Sequence, residues 1–174
     1  PSTQIMRHRT IAAIAAALPQ LQGGGGFLEL IRRERGADAA IEGLVLSYEQ
    51  EQMWVLYQLD PTSGAYNVPY IQRLRGNLDM AALIGAVKAT ARRHEVLRMQ
   101  YGSDEQGSAF QRPVAAEEWE LHVREVDARS EDEAASEVDA EVGSALELEV
   151  SSVRLVVVHV GREEHIVVLN VHHI

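Results

Sequence analysis

The 174-residue sequence predicts an α/β fold, a two-layer sandwich of helices against a sheet, and three observations carry that reading. Segments with apolar residues at helical spacing are interleaved with segments that alternate like strands. The strand-like segments grow longer and more apolar toward the C-terminus, where they close on a hairpin pattern. Cap and turn residues such as Asp60-Pro61, Asp79 and Ser130 stand where one period gives way to the next.

From the N-terminus, residues 5–18 read as one amphipathic helix with Ile11, Ile14 and Leu18 on a face and Thr10 as its cap. Residues 19–43 read as a linker, because Gly23-Gly24-Gly25-Gly26 has too much backbone entropy to keep a regular element. Within it, Phe27, Leu30 and Ile31 have the spacing of a turn or two of helix, with Arg32, Arg33 and Arg35 near its C-terminal end.

A folded unit begins at residue 44. Residues 48–59 predict a helix with Met53, Leu56 and Tyr57 at helical spacing, ended by Asp60-Pro61 and a turn through Thr62-Ser63-Gly64. Residues 67–74 predict a strand, and Asp79 caps a helix that turns Leu83, Ile84, Val87 and Ala91 inward. Strands follow at 96–101 and 109–114 around Gly102-Ser103-Asp104, with another at 119–126. Ser130-Glu131-Asp132-Glu133 reads as a capping box opening an acidic helix with Ala134, Ala135, Val138 and Val142 as its apolar stripe. Residues 153–160 and 165–173 form a hairpin across Gly161-Arg162-Glu163.

Composition narrows the function. With 16 Lys and Arg against 26 Asp and Glu, the net charge is −10, which argues against a nucleic-acid or anionic-membrane partner. The absence of cysteine removes disulfides, thiolate metal sites and a cysteine nucleophile, and fits a cytoplasmic protein. No apolar run is long enough to span a bilayer, and Arg7-His8-Arg9 before the first apolar stretch lacks the cleavage region of a signal peptide. The Gly23–Gly26 run lacks the Lys-Ser/Thr of a phosphate-binding loop, and no Gly-x-Ser-x-Gly elbow occurs.

The most informative residues are Leu169-Asn170-Val171-His172-His173-Ile174. Adjacent strand residues point to opposite faces, so His173 shares a face with Val171 and Leu169, and His172 with Asn170 and Val168. One imidazole is then free to act near neutral pH as a general base while the other holds the strand. The dipeptide alone favours two structural histidines, since a two-residue match has little specificity. His159 and His165 fall on facing strands of the hairpin, but no further ligand completes a tetrahedral metal set. A second cluster, Arg92-Arg93-His94-Glu95-Val96-Leu97-Arg98, lies at a helix-to-strand junction, where positive charge is favoured by the helix dipole.

Taken in order, several segments resemble the condensation domains of nonribosomal peptide synthetases. The run Ser47-Tyr48-Glu49-Gln50-Glu51-Gln52-Met53-Trp54 is similar to the family's Ser-x-Ala-Gln-x-Arg-Leu-Trp, and Tyr66-Asn67-Val68-Pro69 to the Tyr-Asn-x-Pro that follows it. Leu74-Arg75-Gly76-Asn77-Leu78-Asp79 resembles the passage before the second motif, and Arg93-His94-Glu95-Val96-Leu97-Arg98 the Arg-His-Glu-x-Leu-Arg motif itself. Val171-His172-His173-Ile174 resembles the opening of the active-site motif His-His-x-x-x-Asp-Gly, inside which the sequence ends. Met6 to Ala15 resembles the last helix of a peptidyl carrier domain. The sequence departs from the family at Glu49, Gln52 and Met99, and residues 144–152 lack the usual Phe-Asp-Leu…Gly-Pro pattern.

The resemblance implies a chloramphenicol-acetyltransferase-like N-terminal lobe over residues 44–174, preceded by a carrier helix at 1–18 and a linker at 19–43. It implies amide formation between a donor acyl thioester and an acceptor aminoacyl amine, with His173 as base or positioning group. His172, Arg93 and Arg98 would support the site. The implied partners are upstream and downstream carrier domains and the C-terminal lobe of the same domain. No cofactor is bound directly, since the phosphopantetheine arm arrives on the carriers. One lobe alone is expected to make no amide. The alternatives are a related acyltransferase using a hydroxyl or free amine, and a non-catalytic docking lobe.

Overall fold

The computed structural model describes residues 10, 12, 13, 16 and 43–174. The chain divides into two compact units, Pro1–Arg35 and Gly36–Ile174. In the first, Ala12, Ala13 and Ala16 are helical, and the Ala13 N–H donates to Thr10 Oγ1 at 3.2 Å, which makes Thr10 a cap standing outside the helix rather than within it. The remainder of the expected 5–18 helix, and the linker up to residue 42, lie outside the described residues.

The second unit opens with α1 (Tyr48–Leu59). Its capping box is complete: Ser47 Oγ accepts from the Gln50 N–H, and Gln50 Oε1 accepts from the Ser47 N–H. The helix buries Trp54 and Tyr57, while Leu56 of the expected inner face stays 36% exposed. Trp54 is fixed at its polar end by Nε1–H donating to Ser103 Oγ. Strand β1 (Asn67–Arg75) leads to α2 (Met80–Arg93), whose first turn is capped by Asp79 accepting from the Ala82 N–H.

The strand expected from residue 96 begins later. Glu95–Arg98 is a 3-10 turn, and β2 (Met99–Ser103) follows it. The physical reason is Arg98, whose buried guanidinium donates to the carbonyls of Ala91 and Val114 and so ties the last turn of α2 to the end of β3 (Ala109–Pro113). Gly102 lies inside β2 rather than in the turn, and glycine suits that strand position because a Cβ would come within 2.8 Å of the Phe110 ring on β3. The turn is made instead around Asp104, whose Oδ1 accepts from the N–H groups of Gln106 and Ser108.

Strand β4 is His122–Asp127, shorter than the expected 119–126 segment because the Trp119 N–H is taken by the Ala115 carbonyl in a turn. In α3 (Glu131–Gly143), Ser130 Oγ accepts from the Glu133 N–H as expected. The reciprocal half of the capping box is missing, because the Glu133 carboxylate accepts from the Arg129 N–H and guanidinium instead. The hairpin β5 (Val153–Gly161) and β6 (Glu164–His172) completes the sequence of elements.

Four strands form one sheet in the order β1-β6-β5-β4, with β4 parallel to β5 and the other pairs antiparallel. The α/β sandwich class is as predicted, with one layer more than the two expected, because the sheet is covered on both faces. Val153, Leu155, Val157 and Val167 pack with Trp119, Leu121 and the inward residues of α2. Val156, Val158, Ile166 and Val168 pack with Ala128 and Ala134 of the α3 side. That third layer explains why β5 and β6 read as nearly continuous apolar runs. A separate cluster joins α1 to the β2–β3 hairpin through Trp54, Tyr57, Met99, Tyr101 and Leu148, and Ile174 packs against it.

Candidate active site

The end of β6 sorts two adjacent imidazoles into different surroundings. The His172 N–H donates to the Ser152 carbonyl and the His173 N–H to the Tyr66 carbonyl, both at 2.9 Å. Successive amides thus bind the chain to opposite neighbours, and successive side chains must leave on opposite faces.

His172 is buried. Its Nδ1 accepts from the backbone N–H of Ile174 at 3.1 Å, so the neutral ring carries its proton on Nε2. Tyr57 meets the ring edge-on and Tyr66 at a tilt, each with centroids 6.4 Å away. Burial holds the His172 pKa below the ordinary histidine range, with the neighbouring His173 adding in the same direction. This imidazole is kept neutral and fixed.

His173 is exposed. The face it shares with Val171 and Leu169 is lined on β1 by their cross-strand partners Val68, 51% exposed, and Tyr70, 61% exposed. Under α2 on the same face lies an apolar cavity of about 160 Å³, lined by Val87, Ala91, Leu97, Trp119, Leu169 and Val171. His173 is thus the exposed residue that follows β6, two positions on from Val171, which lines that cavity.

A polar floor beneath His172 went unread in the sequence. Buried Glu141 accepts from Arg154 Nε at 2.7 Å and from Asn170 Nδ2 at 3.1 Å, and its backbone carbonyl accepts from Asn170 as well. Asn67, paired in register with His172, donates to the carbonyls of Val142 and Ser144. These bonds pin the C-terminal end of α3 to β1, β5 and β6. The one signal available was Asn170 itself, a polar residue in an otherwise apolar strand. Tyr57 is anchored too: its hydroxyl donates to Glu149 Oε2 at 2.6 Å, and burial with that carboxylate pushes its pKa up to about 12.

Arg98 and Arg93 are not gathered around the histidines. The Arg98 guanidinium is spent on the Ala91 and Val114 carbonyls, while Arg93 is the exposed last residue of α2. Among the described residues, no group of three or more His, Asp or Glu side chains is placed to hold a metal ion.

Comparison with known proteins agrees with this architecture. The family profile described as Condensation domain matches residues 41–174. The synthetase CymA of Salinispora arenicola is 34% identical over 178 residues, covering 100% of this chain and 2% of that protein. A dimodular nonribosomal peptide synthase of Bacillus subtilis is 32% identical over 168 residues, covering 95% of this chain and 7% of the relative. Among solved structures, the first condensation domain of the CDA synthetase superposes with a TM-score of 0.63 at 25% identity, over 76% of this chain and 36% of that one. The X-domain from teicoplanin biosynthesis gives 0.68 at 26% identity, over 81% and 29%. The chain thus spans a few percent of its curated relatives and about a third of the solved domains. It belongs to the condensation-domain family found in nonribosomal peptide synthetases.

Proposed function

We propose that the chain contributes the histidine-bearing lobe of an amide-forming condensation site. The observation that carries the reading is the division of labour between His172, buried and hydrogen-bonded, and His173, exposed just past the end of β6. In this reading the acceptor's α-amine attacks the donor thioester carbonyl. The C–N bond forms, the C–S bond breaks, and the His173 imidazole carries a proton from the nitrogen to the departing thiolate. A thioester is already activated, so placing the amine and moving one proton supplies much of the rate. Both substrates arrive on phosphopantetheine arms of separate carrier domains. His172 and Arg98 act as supports, the first through the Ile174 amide and the second through the α2–β3 junction. Arg93 is assigned to the surface around that junction.

Residues 44–174 serve as the N-terminal lobe, 19–43 as a linker and 1–18 as the carrier's last helix, a division supported by the family match beginning at residue 41. The second lobe closes over His173, and one lobe by itself makes no amide. A cytoplasmic location is part of this proposal. No helix among the described residues is long and apolar enough to cross a membrane.

A docking role is the second reading. It is favoured by the likeness to the teicoplanin X-domain, whose solved structures include one in complex with OxyB. A complete synthetase containing this domain, with both carriers loaded, separates the readings by mass spectrometry of the downstream arm. A peptidyl thioester supports condensation. An unchanged acceptor thioester on a fully loaded assembly supports docking, and an ester on a hydroxyl acceptor supports the related acyltransferase.

A further inference from the structure

The backbone that carries His173 is held by the residue that precedes β1. The His173 N–H donates to the Tyr66 carbonyl at 2.9 Å, and β1 opens at the next residue, Asn67. Tyr66 is itself the third residue of a tight turn, closed by the Asn67 N–H donating to the Gly64 carbonyl at 3.0 Å. That turn stands against the C-terminal end of α3. Ser63 forms an antiparallel bridge with Ser144, and a Cβ at Gly64 would lie 2.5 Å from the Gly143 carbonyl oxygen.

Asn67 fastens the turn to the helix. Its carboxamide carries two N–H donors, and Nδ2 reaches the Val142 carbonyl at 3.1 Å and the Ser144 carbonyl at 2.7 Å. The end of α3 needs donors from outside. The last carbonyls of a helix have no partner within it, and the last turn of α3 holds no basic side chain to supply one. Asn67 is also paired in register with His172. One side chain thus stands opposite the first histidine and one residue from the carbonyl that holds the second.

We infer that Asn67 is a positioning residue for His173: by donating both carboxamide hydrogens to the end of α3, it fixes the Tyr66 carbonyl and with it the place from which the His173 imidazole reaches the reacting amine. The assignment rests on the role proposed above for His173 in moving the transferred proton. Asn67 touches no substrate and carries no proton. Its effect is on distance. A proton-transfer group works only within hydrogen-bond reach of its partner, and a displacement of about 1 Å can slow a reaction by roughly 10²-fold. Without the two donors, the turn keeps its own backbone bond but loses this hold on α3, and Tyr66 carries His173 with it.

The test uses the complete synthetase with only its donor carrier loaded and a soluble aminoacyl thioester as acceptor. Single turnovers give the maximal rate constant, the half-saturating acceptor concentration and the amplitude. Asn67→Asp keeps the size of the side chain and removes both donors. Its maximal rate constant should fall by roughly 10–100-fold with the half-saturating concentration unchanged, since positioning acts on the chemistry rather than on binding. Asn67→Ser keeps one donor hydrogen and should fall between Asn67→Asp and the wild type. A merely structural side chain has a different signature: fewer folded molecules lower the amplitude and leave the rate constant of those that react. A wild-type rate constant in Asn67→Asp would overturn the proposal, as would a loss confined to the half-saturating concentration. Should Asn67→Asp fail to fold, Asn67→Ser decides by the same two outcomes. His173→Ala in the same assay keeps the two levels apart. A wild-type rate there would remove the proton role itself, whereas a slow His173→Ala beside an unaffected Asn67→Asp would remove only the positioning role.

Discussion

The Nδ1 of His172 accepts the backbone N–H of Ile174, so the first histidine of the pair holds the backbone on the far side of the second. Protonating His172 would set a donor against a donor at that bond. The folded pKa is lowered by burial, which makes the unfolded chain the better proton acceptor. Its contribution to stability is complete above a pH of about 6.5 and is lost as the pH falls toward the lowered value. His172→Asn should therefore flatten the acid side of the stability profile, measured by urea unfolding from pH 8 to 5. A variant whose profile parallels the wild type would contradict this.

Arg98→Ala is expected to cost about 2–3 kcal/mol, because it removes two charge-assisted donors and leaves the Ala91 and Val114 carbonyls to find water. Arg98→Lys should recover only part of this, since an ammonium has no planar fork to reach both. Urea unfolding of the three proteins ranks them.

Tyr57→Phe deletes the hydroxyl that donates to Glu149 and leaves the ring against Trp54 and His172 in place. With Glu149 exposed, the expected loss is about 1 kcal/mol. In the wild type, ultraviolet titration should show Tyr57 ionising only near a pH of about 12, with buried Tyr101 also raised, and the variant should show one late-ionising tyrosine fewer.

Two glycines give opposite expectations. A Cβ at Gly64 would lie 2.5 Å from the Gly143 carbonyl oxygen, so Gly64→Ala must push α3 away from the loop after α1, at a cost of about 1–3 kcal/mol. Gly85, inside α2, would meet nothing within 4 Å, and Gly85→Ala should stabilise by about 0.5–1 kcal/mol. Thermal unfolding of both checks the pair.

What the sequence made legible was what depends on period. The runs of β5 and β6 and the Asp79 cap follow from local spacing and are present in the structure, where β6 ends at His172 and the two adjacent histidines differ in exposure. Partners distant in sequence were not legible. Glu141 sits in an acidic helix that reads as solvated, yet it is buried because Arg154 and Asn170 reach it from β5 and β6. Arg98 reads as one more cation near a helix end, yet its guanidinium sets where β2 begins. In α1, apolar side chains occur nearly all round, so spacing could not choose Trp54 with Tyr57 over Met53 with Leu56 as the buried face. The Ser47–Gln50 capping box is legible in the letters as Ser-x-x-Gln.

The central claim is that His173, and not its neighbour, handles the transferred proton. The most direct measurement is the single-turnover rate of peptidyl-thioester formation in a complete synthetase, with both carriers shown by mass spectrometry to be loaded. His173→Ala should slow that step by roughly 10²–10⁴-fold with loading unchanged, the range for loss of a positioned general base. A rate equal to the wild type in that variant would contradict the account.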